Sequence, residues 1–283
     1  MKPKSAGAWW LVLAALLAAH ACGIYYFRDR ILKGETDFAS FYAAGRAVQQ
    51  GQGRELYRYE TQQEFQKDFP SRTVPLLFYH PPFQLVLFLL LAYLPFVWAY
   101  AVWLLVNVLL VVGLSFIRHP DDDLRPPPDW ATAVPRMVAA FAFFPVFLAL
   151  LHGQDSVMLL WLFSLAFLAL RRGMDFEAGC FLALGLFKFQ FVVPFLAVMA
   201  FRKKWRVLSG AGAVAVALAL ISALLVGWNG MVEYVDFLGQ TDRVQAHGTI
   251  QAAGMANLRG LVTSALGDSL SRNVSVGVIA ILS

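Results

Sequence analysis

Long apolar segments constrain this chain more than any other feature. Residues 8–27 follow Lys2 and Lys4 and supply about 20 apolar residues, enough for a helix to cross a hydrocarbon core of roughly 30 Å. Of the 283 residues, 59% are hydrophobic and 14% are charged, whereas a soluble domain has roughly 45–50% and 25%. The sequence therefore predicts an integral membrane protein with a retained N-terminal anchor. A cleaved signal peptide is the alternative, because residues 19–21 read Ala-His-Ala.

The charge and cysteine patterns fit this class. The formal net charge is +5, but the basic residues form short clusters beside apolar segments, as topology determinants do, so we expect no nucleic-acid partner. Cys22 and Cys180 both lie inside apolar runs and form neither a disulfide framework nor a CxxC metal pair. The five histidines do not follow metal-ligand spacing. We expect no cofactor and no bound metal, although a divalent ion held loosely at Asp37 stays open.

Residues 28–95 are predicted to form an outer loop with interfacial helices. An apolar stripe at helical spacing after Asp37 indicates an amphipathic helix on the membrane surface. A second short helix is predicted over residues 59–69. Only 12 residues, 83–94, lie between two prolines. This length is too short for a transmembrane helix and is typical of a re-entrant segment. The stripe consists of Phe38, Phe41, Tyr42 and Val48.

The positive-inside rule then orders the segments within residues 96–226. Every short basic cluster falls in the cytoplasm if residues 83–94 do not cross the membrane. Lys188 separates two half-length helices in this scheme. The successive segments are an inward helix at 96–117, a cytoplasmic loop at 118–128, an outward helix at 137–151, an outer turn at 152–155, an inward helix at 156–170, half-length helices at 178–187 and 191–201, and an outward helix at 207–226.

The remainder is predicted as a second outer loop, residues 227–272, followed by an apolar segment, residues 273–283. That segment stops after 11 residues, so we expect a truncated helix or an interfacial piece. The whole chain, 1–283, is interpreted as one membrane domain. It contains no Walker A loop, GxGxxG or HExxH, which argues against an ATP-driven pump, a nucleotide-sugar domain and a zincin. Both outer loops are too short for a large catalytic domain, so any chemistry belongs at the membrane interface.

The order of several short motifs resembles glycosyltransferase family 87. The resemblance spans nearly the whole chain, and it rests on the order of the motifs rather than on any single one. Two departures are His80, where the family more often has Tyr-Pro-Pro, and the short length of the chain. The motifs are Asp37-Phe38-Ala39-Ser40-Phe41-Tyr42-Ala43-Ala44-Gly45, Leu56-Tyr57, Phe78-Tyr79-His80-Pro81-Pro82-Phe83, Gly153-Gln154, Leu186-Phe187-Lys188, Arg202-Lys203-Lys204-Trp205-Arg206 and Ala256-Asn257-Leu258-Arg259-Gly260.

The resemblance implies an all-α, polytopic transmembrane helical bundle of the GT-C type, with juxtamembrane amphipathic helices in the first outer loop. It also implies transfer of a hexose, with mannose favoured, from a polyprenyl-phosphate donor to a lipid or glycan acceptor hydroxyl, with inversion. The expected partners are thus the lipid bilayer, this donor and this acceptor. The expected location is the extracytoplasmic face of a bacterial inner cell membrane.

Asp37 is the predicted catalytic residue. An acceptor hydroxyl needs a base to take its proton, while a phosphate ester leaves as an anion without an acid partner. One carboxylate with phosphate ligands therefore suffices, unlike the carboxylate pair of glycoside hydrolases. The structural alternative is that Asp37 only caps the helix that follows it.

The other candidate residues are predicted to bind the donor phosphate or the acceptor. Lys188 interrupts an apolar stretch, so it should face a cavity or partner, or snorkel to the interface. Tyr79 and His80 precede two prolines and are biased to extended backbone, from which they can project into a cleft. The remaining candidates lie in the outer turn and the second outer loop, and solvated loop residues are the alternative reading of the loop pair. They are His152, Gln154, Asn257 and Arg259.

Two other functions remain open at this point. A transporter or flippase of lipid-linked sugars could use half-length helices around Lys188 as a binding site. A non-catalytic assembly subunit is the third reading. The sequence shows no pair of matching halves, which favours the enzyme over the transporter.

Overall fold

The structure is a computed structural model that describes residues 6–69, 75–117 and 129–239. The described residues form helices, 3₁₀ turns and loops and contain no strand, so the predicted all-α class is confirmed. Asn257 and Arg259 lie outside the described residues. The helices are α1 Ala6–Tyr26, α2 Arg28–Leu32, α3 Asp37–Gln49, α4 Tyr59–Glu64, α5 Leu85–Leu89, α6 Phe96–Ser115, α7 Trp130–Ala142, α8 Phe144–His152, α9 Ser156–Arg171, α10 Asp175–Leu184, α11 Phe189–Phe201 and α12 Trp205–Gly239.

The chain divides into two compact units, Met1–Val235 and Asp236–Ser283. Only residues 236–239 of the second unit are described.

Several described helices are long and apolar enough to span a membrane. Three continuous helices meet both conditions, namely Gly7–Tyr26, Phe96–Ser115 and Trp205–Gly239, and the bent pair α7–α8 adds one more if it counts as one span. Asp175–Phe201 also has the length and composition of a span, but the chain folds back within it. A polytopic helical membrane protein is therefore confirmed. Which side of the membrane each loop occupies stays a prediction.

The segment predicted as one outward helix at residues 137–151 is instead two helices. α7 begins earlier, at Trp130, where Asp129 and Thr132 form a capping box. The chain then bends by 72° between α7 and α8 at Phe143, which is extended. Pro145 explains the break, because its ring would clash with the carbonyl four residues back in a continuous helix.

The helix that begins at Asp37 is enclosed by protein over most of its circumference. Eight of the 13 residues of α3 are buried, including small residues outside the predicted stripe. Gly45 allows this closeness, because a Cβ there would lie 3.0 Å from the carbonyl oxygen of Phe88. Phe41 stacks on Phe88 with ring centroids 4.7 Å apart. α3 is therefore held firmly against α5 and its neighbours.

The second predicted loop helix is shorter than expected, because α4 ends at Glu64 and turns follow it. The Gln66 side chain bonds to both backbone groups of Leu76, at 2.8 Å and 2.9 Å. These bonds attach the turns to residues 75–80, an irregular segment that contains Tyr79 and His80 and that we call the connecting segment. Residues 85–93 form the short α5 and a 3₁₀ turn, Leu91–Tyr93, where a re-entrant piece was predicted.

The half-length helices around Lys188 fold back as a hairpin. α10 and α11 are joined by the 3₁₀ turn Gly185–Lys188. Lys204, just after α11, pairs with Asp175, the first residue of α10, at 3.2 Å. A straight helix over these 27 residues would hold its ends about 40 Å apart. Both ends of the hairpin therefore lie together, and Lys188 lies at its tip.

Glycines bring α12 against the hairpin and bend it further on. A Cβ at Gly179 would lie 1.9 Å from the carbonyl oxygen of Val207, and one at Gly210 would lie 2.0 Å from that of Phe176. The two helices can approach this closely only with glycine at these positions. Gly227 has a φ of 69° and kinks α12.

The first unit has two chemically different ends. The tip of the hairpin lies beside the start of α9, since Lys188 donates to Ser156. α9 then runs about 24 Å to Arg171. Near that far end, Arg136 and Leu170 line one apolar cavity of about 760 Å³. We call the end with Asp37, His80, Gln154, Asp155 and Lys188 the site end. The other, with Arg136, Arg171, Arg172 and Lys204, is the basic end.

Candidate active site

The carboxylate of Asp37 lies at the start of α3. Thr36 is the N-cap residue, with extended backbone and no side-chain capping bond, so Asp37 is the first residue of the helix rather than its cap. Asp37 Oδ2 accepts a hydrogen bond from Gln154 Nε2 at 2.6 Å. Its side chain is half-buried. The carboxylate is thus oriented by a neighbouring turn and stays accessible.

That turn is locked in place by backbone contacts. Gly153 has a φ of 63°, and a Cβ there would lie 2.7 Å from the Cβ of Phe38. Trp103 Nε1 donates to the Gly153 carbonyl at 2.8 Å. Tyr100 donates to the carbonyls of Leu150 and Leu151 at 3.2 Å and 3.0 Å. These bonds fix the backbone from which Gln154 reaches Asp37.

A buried ion pair lies beside this turn. Lys188 Nζ is 2.7 Å from Asp155 Oδ1, with the two side chains 15% and 1% exposed. The Gln84 amide donates to the other oxygen of Asp155. Both carboxylate oxygens of Asp155 are therefore satisfied, as a charge at this depth requires.

Hydrogen bonds connect the ion pair to Asp37. Lys188 Nζ donates to Ser156 Oγ at 2.7 Å, and Ser156 Oγ donates to Gln154 Oε1 at 3.3 Å. Gln154 in turn donates to Asp37. A continuous chain of polar groups thus runs from the ammonium group of Lys188 to the carboxylate of Asp37.

His80 lies in the connecting segment and completes this cluster. Its Nδ1 lies 3.2 Å from the Phe187 carbonyl and 3.6 Å from Asp155 Oδ2. Burial lowers the pKa of His80, while Asp155 opposes this shift and Lys188 adds to it. The imidazole is therefore neutral at pH 7. Because a carbonyl can only accept, Nδ1 carries the proton and Nε2 is left as an acceptor.

Two tyrosines hold the connecting segment in position through hydrogen bonds to its backbone. Tyr57 donates to the His80 carbonyl at 2.8 Å. The Tyr79 carbonyl accepts from the Tyr234 hydroxyl at 3.5 Å. Tyr79 thus borders the cluster through its backbone, while the His80 ring enters it.

The predicted site residues divide into three groups. Asp37, His80, Gln154 and Lys188 come together at the site end, and Tyr79 borders them. His152 ends α8 nearby, but none of the hydrogen bonds or ion pairs found in the described ranges joins its side chain to the cluster. The last group, Asn257 and Arg259, falls outside the described residues.

Three residues of this cluster were not predicted, namely Asp155, Gln84 and Ser156. A signal existed for Asp155, because a lysine inside an apolar stretch needs a counter-ion and Asp155 directly follows Gln154. Gln84 was also visible as a polar residue in the apolar run 83–94. Ser156 carries no signal that distinguishes it from other serines at helix starts.

Residues 6–69, 75–117 and 129–239 hold no group of three His, Cys, Asp or Glu side chains arranged to bind a metal ion. The cluster consists of carboxylates, an ammonium group, an imidazole, amides and a hydroxyl.

These features define an integral membrane protein with an ordered polar site at one end of a helical bundle. The model of glycosyltransferase family 87 matches residues 78–283, nearly three quarters of the chain. The chain belongs to glycosyltransferase family 87, and it is therefore a membrane glycosyltransferase. The match begins at Phe78, so it includes His80, Gln154 and Lys188 and leaves out Asp37. Neither the curated proteins nor the solved structures contain a chain that matches this one.

Proposed function

We propose that the protein transfers a hexose, with mannose favoured, from a polyprenyl-phosphate donor to a hydroxyl of a lipid or glycan acceptor. Asp37 is the general base, and the reaction inverts the anomeric centre. Transfer takes place at the extracytoplasmic face of a bacterial inner cell membrane. The sugar and the donor class rest on the family resemblance.

The observation that carries this proposal is the polar chain from Lys188 to Asp37. An accessible carboxylate oriented by an amide suits a base, and the ammonium group at the other end of this chain of three hydrogen bonds can donate to a phosphate. In the reaction, Asp37 takes the acceptor proton as the acceptor oxygen bonds to the anomeric carbon. The bond from that carbon to the phosphate oxygen breaks, and its electron pair leaves with the polyprenyl phosphate. Attack opposite the leaving group produces inversion.

Lys188 and His80 have different roles in this proposal. The charge of Lys188 is balanced by Asp155, so the ammonium offers the donor phosphate hydrogen-bond donors rather than net charge. Neutral His80 has an acceptor at Nε2, which suits an acceptor hydroxyl better than a phosphate oxygen. Tyr79, His152, Asn257 and Arg259 complete the proposed binding set.

The extracytoplasmic location is supported by the separation of the two ends. Arg171, Arg172 and residues 202–206 lie at the basic end of the first unit, remote from Asp37. Short basic segments remain in the cytoplasm when membrane proteins insert. The site end then faces the opposite compartment.

An Asp37→Asn variant tests the base. Asparagine keeps the shape and still accepts a bond from Gln154 but cannot take a proton. We expect kcat for transfer from polyprenyl-phosphate sugars to fall roughly 10²–10⁴-fold, the usual contribution of general base catalysis. Donor binding should be unchanged, as measured with purified protein, extracted lipids and mass spectrometry.

Asp29→Asn is the matched control, because Asp29 is a 71% exposed carboxylate in the same loop. It should transfer sugar at the wild-type rate. Wild-type kcat in Asp37→Asn would contradict the assignment of the base.

The hairpin of two half-length helices, α10 and α11, is also consistent with a transporter of lipid-linked sugars, since transporters place discontinuous helices around mid-membrane binding sites. Lipid flipping in proteoliposomes separates the two functions. If the wild type transfers no sugar and Asp37→Asn still flips lipid-linked sugars at the wild-type rate, the transporter is favoured.

A further inference from the structure

A second pocket lies at the site end, between the loop before α4 and the kinked part of α12. Its volume is about 410 Å³, within the roughly 300–1,000 Å³ of small-molecule sites. The lining residues come from two distant parts of the chain. They include Arg54, Glu55, Arg58, Trp228, Asn229 and Glu233.

The backbone around this pocket is closely fitted. A Cβ at Gly53 would lie 2.4 Å from the carbonyl oxygen of Leu225, so only glycine allows this contact. Gly227, with its positive φ, turns α12 immediately before Trp228. Ser222 in turn accepts a bond from the Phe83 backbone at 3.1 Å. The two walls of the pocket therefore have a fixed spacing.

The polar groups of the pocket balance one another. Arg58 pairs with Glu233 at 2.9 Å and with Glu55 at 3.0 Å. With Arg54, the lining carries two positive and two negative side chains. The lining therefore has no net positive charge with which to favour an anionic ligand. The paired groups instead present donors and acceptors side by side.

Two further features indicate what binds there. Trp228 is 75% exposed and adds a broad apolar ring to the polar wall. The Arg58 and Glu55 side chains line the pocket and are 53% and 52% exposed, so a ligand can reach the groups that their ion pair leaves free. A flat apolar face beside exposed donors and acceptors is complementary to a neutral sugar ring.

The pocket is joined to the active site by two tyrosines. The rings of Tyr57 and Tyr234 lie 4.8 Å apart, and Tyr234 follows Glu233 in α12. Tyr57 bonds to the His80 backbone, and Tyr234 bonds to that of Tyr79. A ligand in the pocket thus lies one side-chain layer from His80.

We propose that this pocket binds a neutral sugar ring of the acceptor, so that the acceptor is a glycan or glycolipid rather than a simple lipid alcohol. This inference rests on the proposed function. Trp228 stacks on the ring, while Glu55 and Arg58 bond to its hydroxyls. The acceptor hydroxyl that reacts belongs to a neighbouring part of the same molecule.

Direct binding tests the pocket without any need for catalysis. Full-length protein in lipid nanodiscs is mixed with mannobiose, maltose or cellobiose, and saturation-transfer NMR records contact with the ring protons. We expect at least one disaccharide to bind. Trp228→Ala and Glu55→Gln should each weaken its binding about tenfold or more, as expected for a residue at the centre of a binding site.

Trp205→Ala is the matched control, because Trp205 lies on the same helix, is 67% exposed and belongs to the basic end. It should bind sugar as the wild type does. If Trp228 served only to anchor the helix in the membrane interface, Trp228→Ala would lower thermal stability and leave the sugar signal unchanged. That result, or binding to none of the three disaccharides, would overturn the proposal.

The same experiment separates this inference from the proposed function. Asp37→Asn should bind the disaccharide normally although it transfers nothing. Sugar binding in a protein without any transferase activity would refute the proposed function and keep the pocket. If Trp228→Ala transfers sugar with a normal KM for the acceptor, the pocket does not bind the acceptor, while the proposed function still holds.

Discussion

For Lys188, the structure adds what the sequence could not provide, namely the identity of its partner. Its position inside an apolar stretch indicates a functional or paired lysine, but the sequence does not name the partner. Asp155 lies 33 positions away and reaches Lys188 only because the hairpin returns to the start of α9. Asp37, His80 and Gln154 were recognisable from motif order. Their hydrogen bonds depend on tertiary packing, which no local pattern contains.

Replacing Lys188 with methionine should strongly destabilise the protein. The change leaves the Asp155 carboxylate buried without a counter-ion, which typically costs about 3–5 kcal/mol. A double variant, Lys188→Met with Asp155→Leu, should recover much of the loss because no charge stays buried. Thermal unfolding in detergent measures both.

Lys67→Met provides the comparison, because Lys67 and Glu64 form an ion pair whose side chains are 60% and 57% exposed. Its unfolding temperature should stay at the wild-type value. A Lys188→Met protein as stable as Lys67→Met would show that the buried pair carries no stabilising role.

At the scale of elements, the hairpin was predictable and the bend between α7 and α8 was not. Lys188 interrupts the apolar run and thereby indicates two half-length helices. Pro145 gives a comparable signal, but the apolar residues around it form one continuous segment. The early end of α4 was hidden for another reason, since it depends on bonds from Gln66 to Leu76.

Gly179→Ala should disturb the packing of α10 against α12. The added methyl group would lie 1.9 Å from the Val207 carbonyl oxygen, so the helices must separate. Overpacking of this kind typically costs about 1–3 kcal/mol. Chemical unfolding of the purified protein measures the loss.

Gly212→Ala is the control on α12 itself, because a Cβ there meets no atom within 4 Å. Alanine should leave stability unchanged or raise it by roughly 0.5–1 kcal/mol, since glycine is a poor helix former. Equal losses in the two variants would contradict close packing at Gly179.

For the whole molecule, composition alone predicted the class, and the spacing of apolar segments predicted most helices. The two ends of the first unit could be anticipated from the basic clusters at 171–172 and 202–206. The second pocket could not, because Arg58 and Glu233 are 175 positions apart and meet only through the kink at Gly227.

Labelling of single cysteines tests the orientation of the molecule. Arg46 and Arg206 are exposed and lie in α3 and at the start of α12, towards the site end and the basic end respectively. We expect a membrane-impermeant maleimide on right-side-out vesicles to label Arg46→Cys and not Arg206→Cys, because the positive-inside rule predicts that the basic end faces the cytoplasm. Inverted vesicles should give the reverse.

The background for both variants carries serine at positions 22 and 180, so no native thiol reacts. Labelling of Arg206→Cys from outside would place the site end in the cytoplasm and contradict the proposed location of transfer.

The hairpin also has a consequence for biogenesis. The two ends of the hairpin, Asp175 and Lys204, lie together. During insertion into the membrane, Lys188 therefore enters first, at the tip of a loop. An ammonium at that depth costs roughly 2.5–3.5 kcal/mol on insertion scales. Asp155 is synthesised earlier, so its carboxylate has no counter-ion until the loop inserts. We therefore expect insertion of the loop to be favoured by the pairing of the two side chains, which leaves neither charge uncompensated.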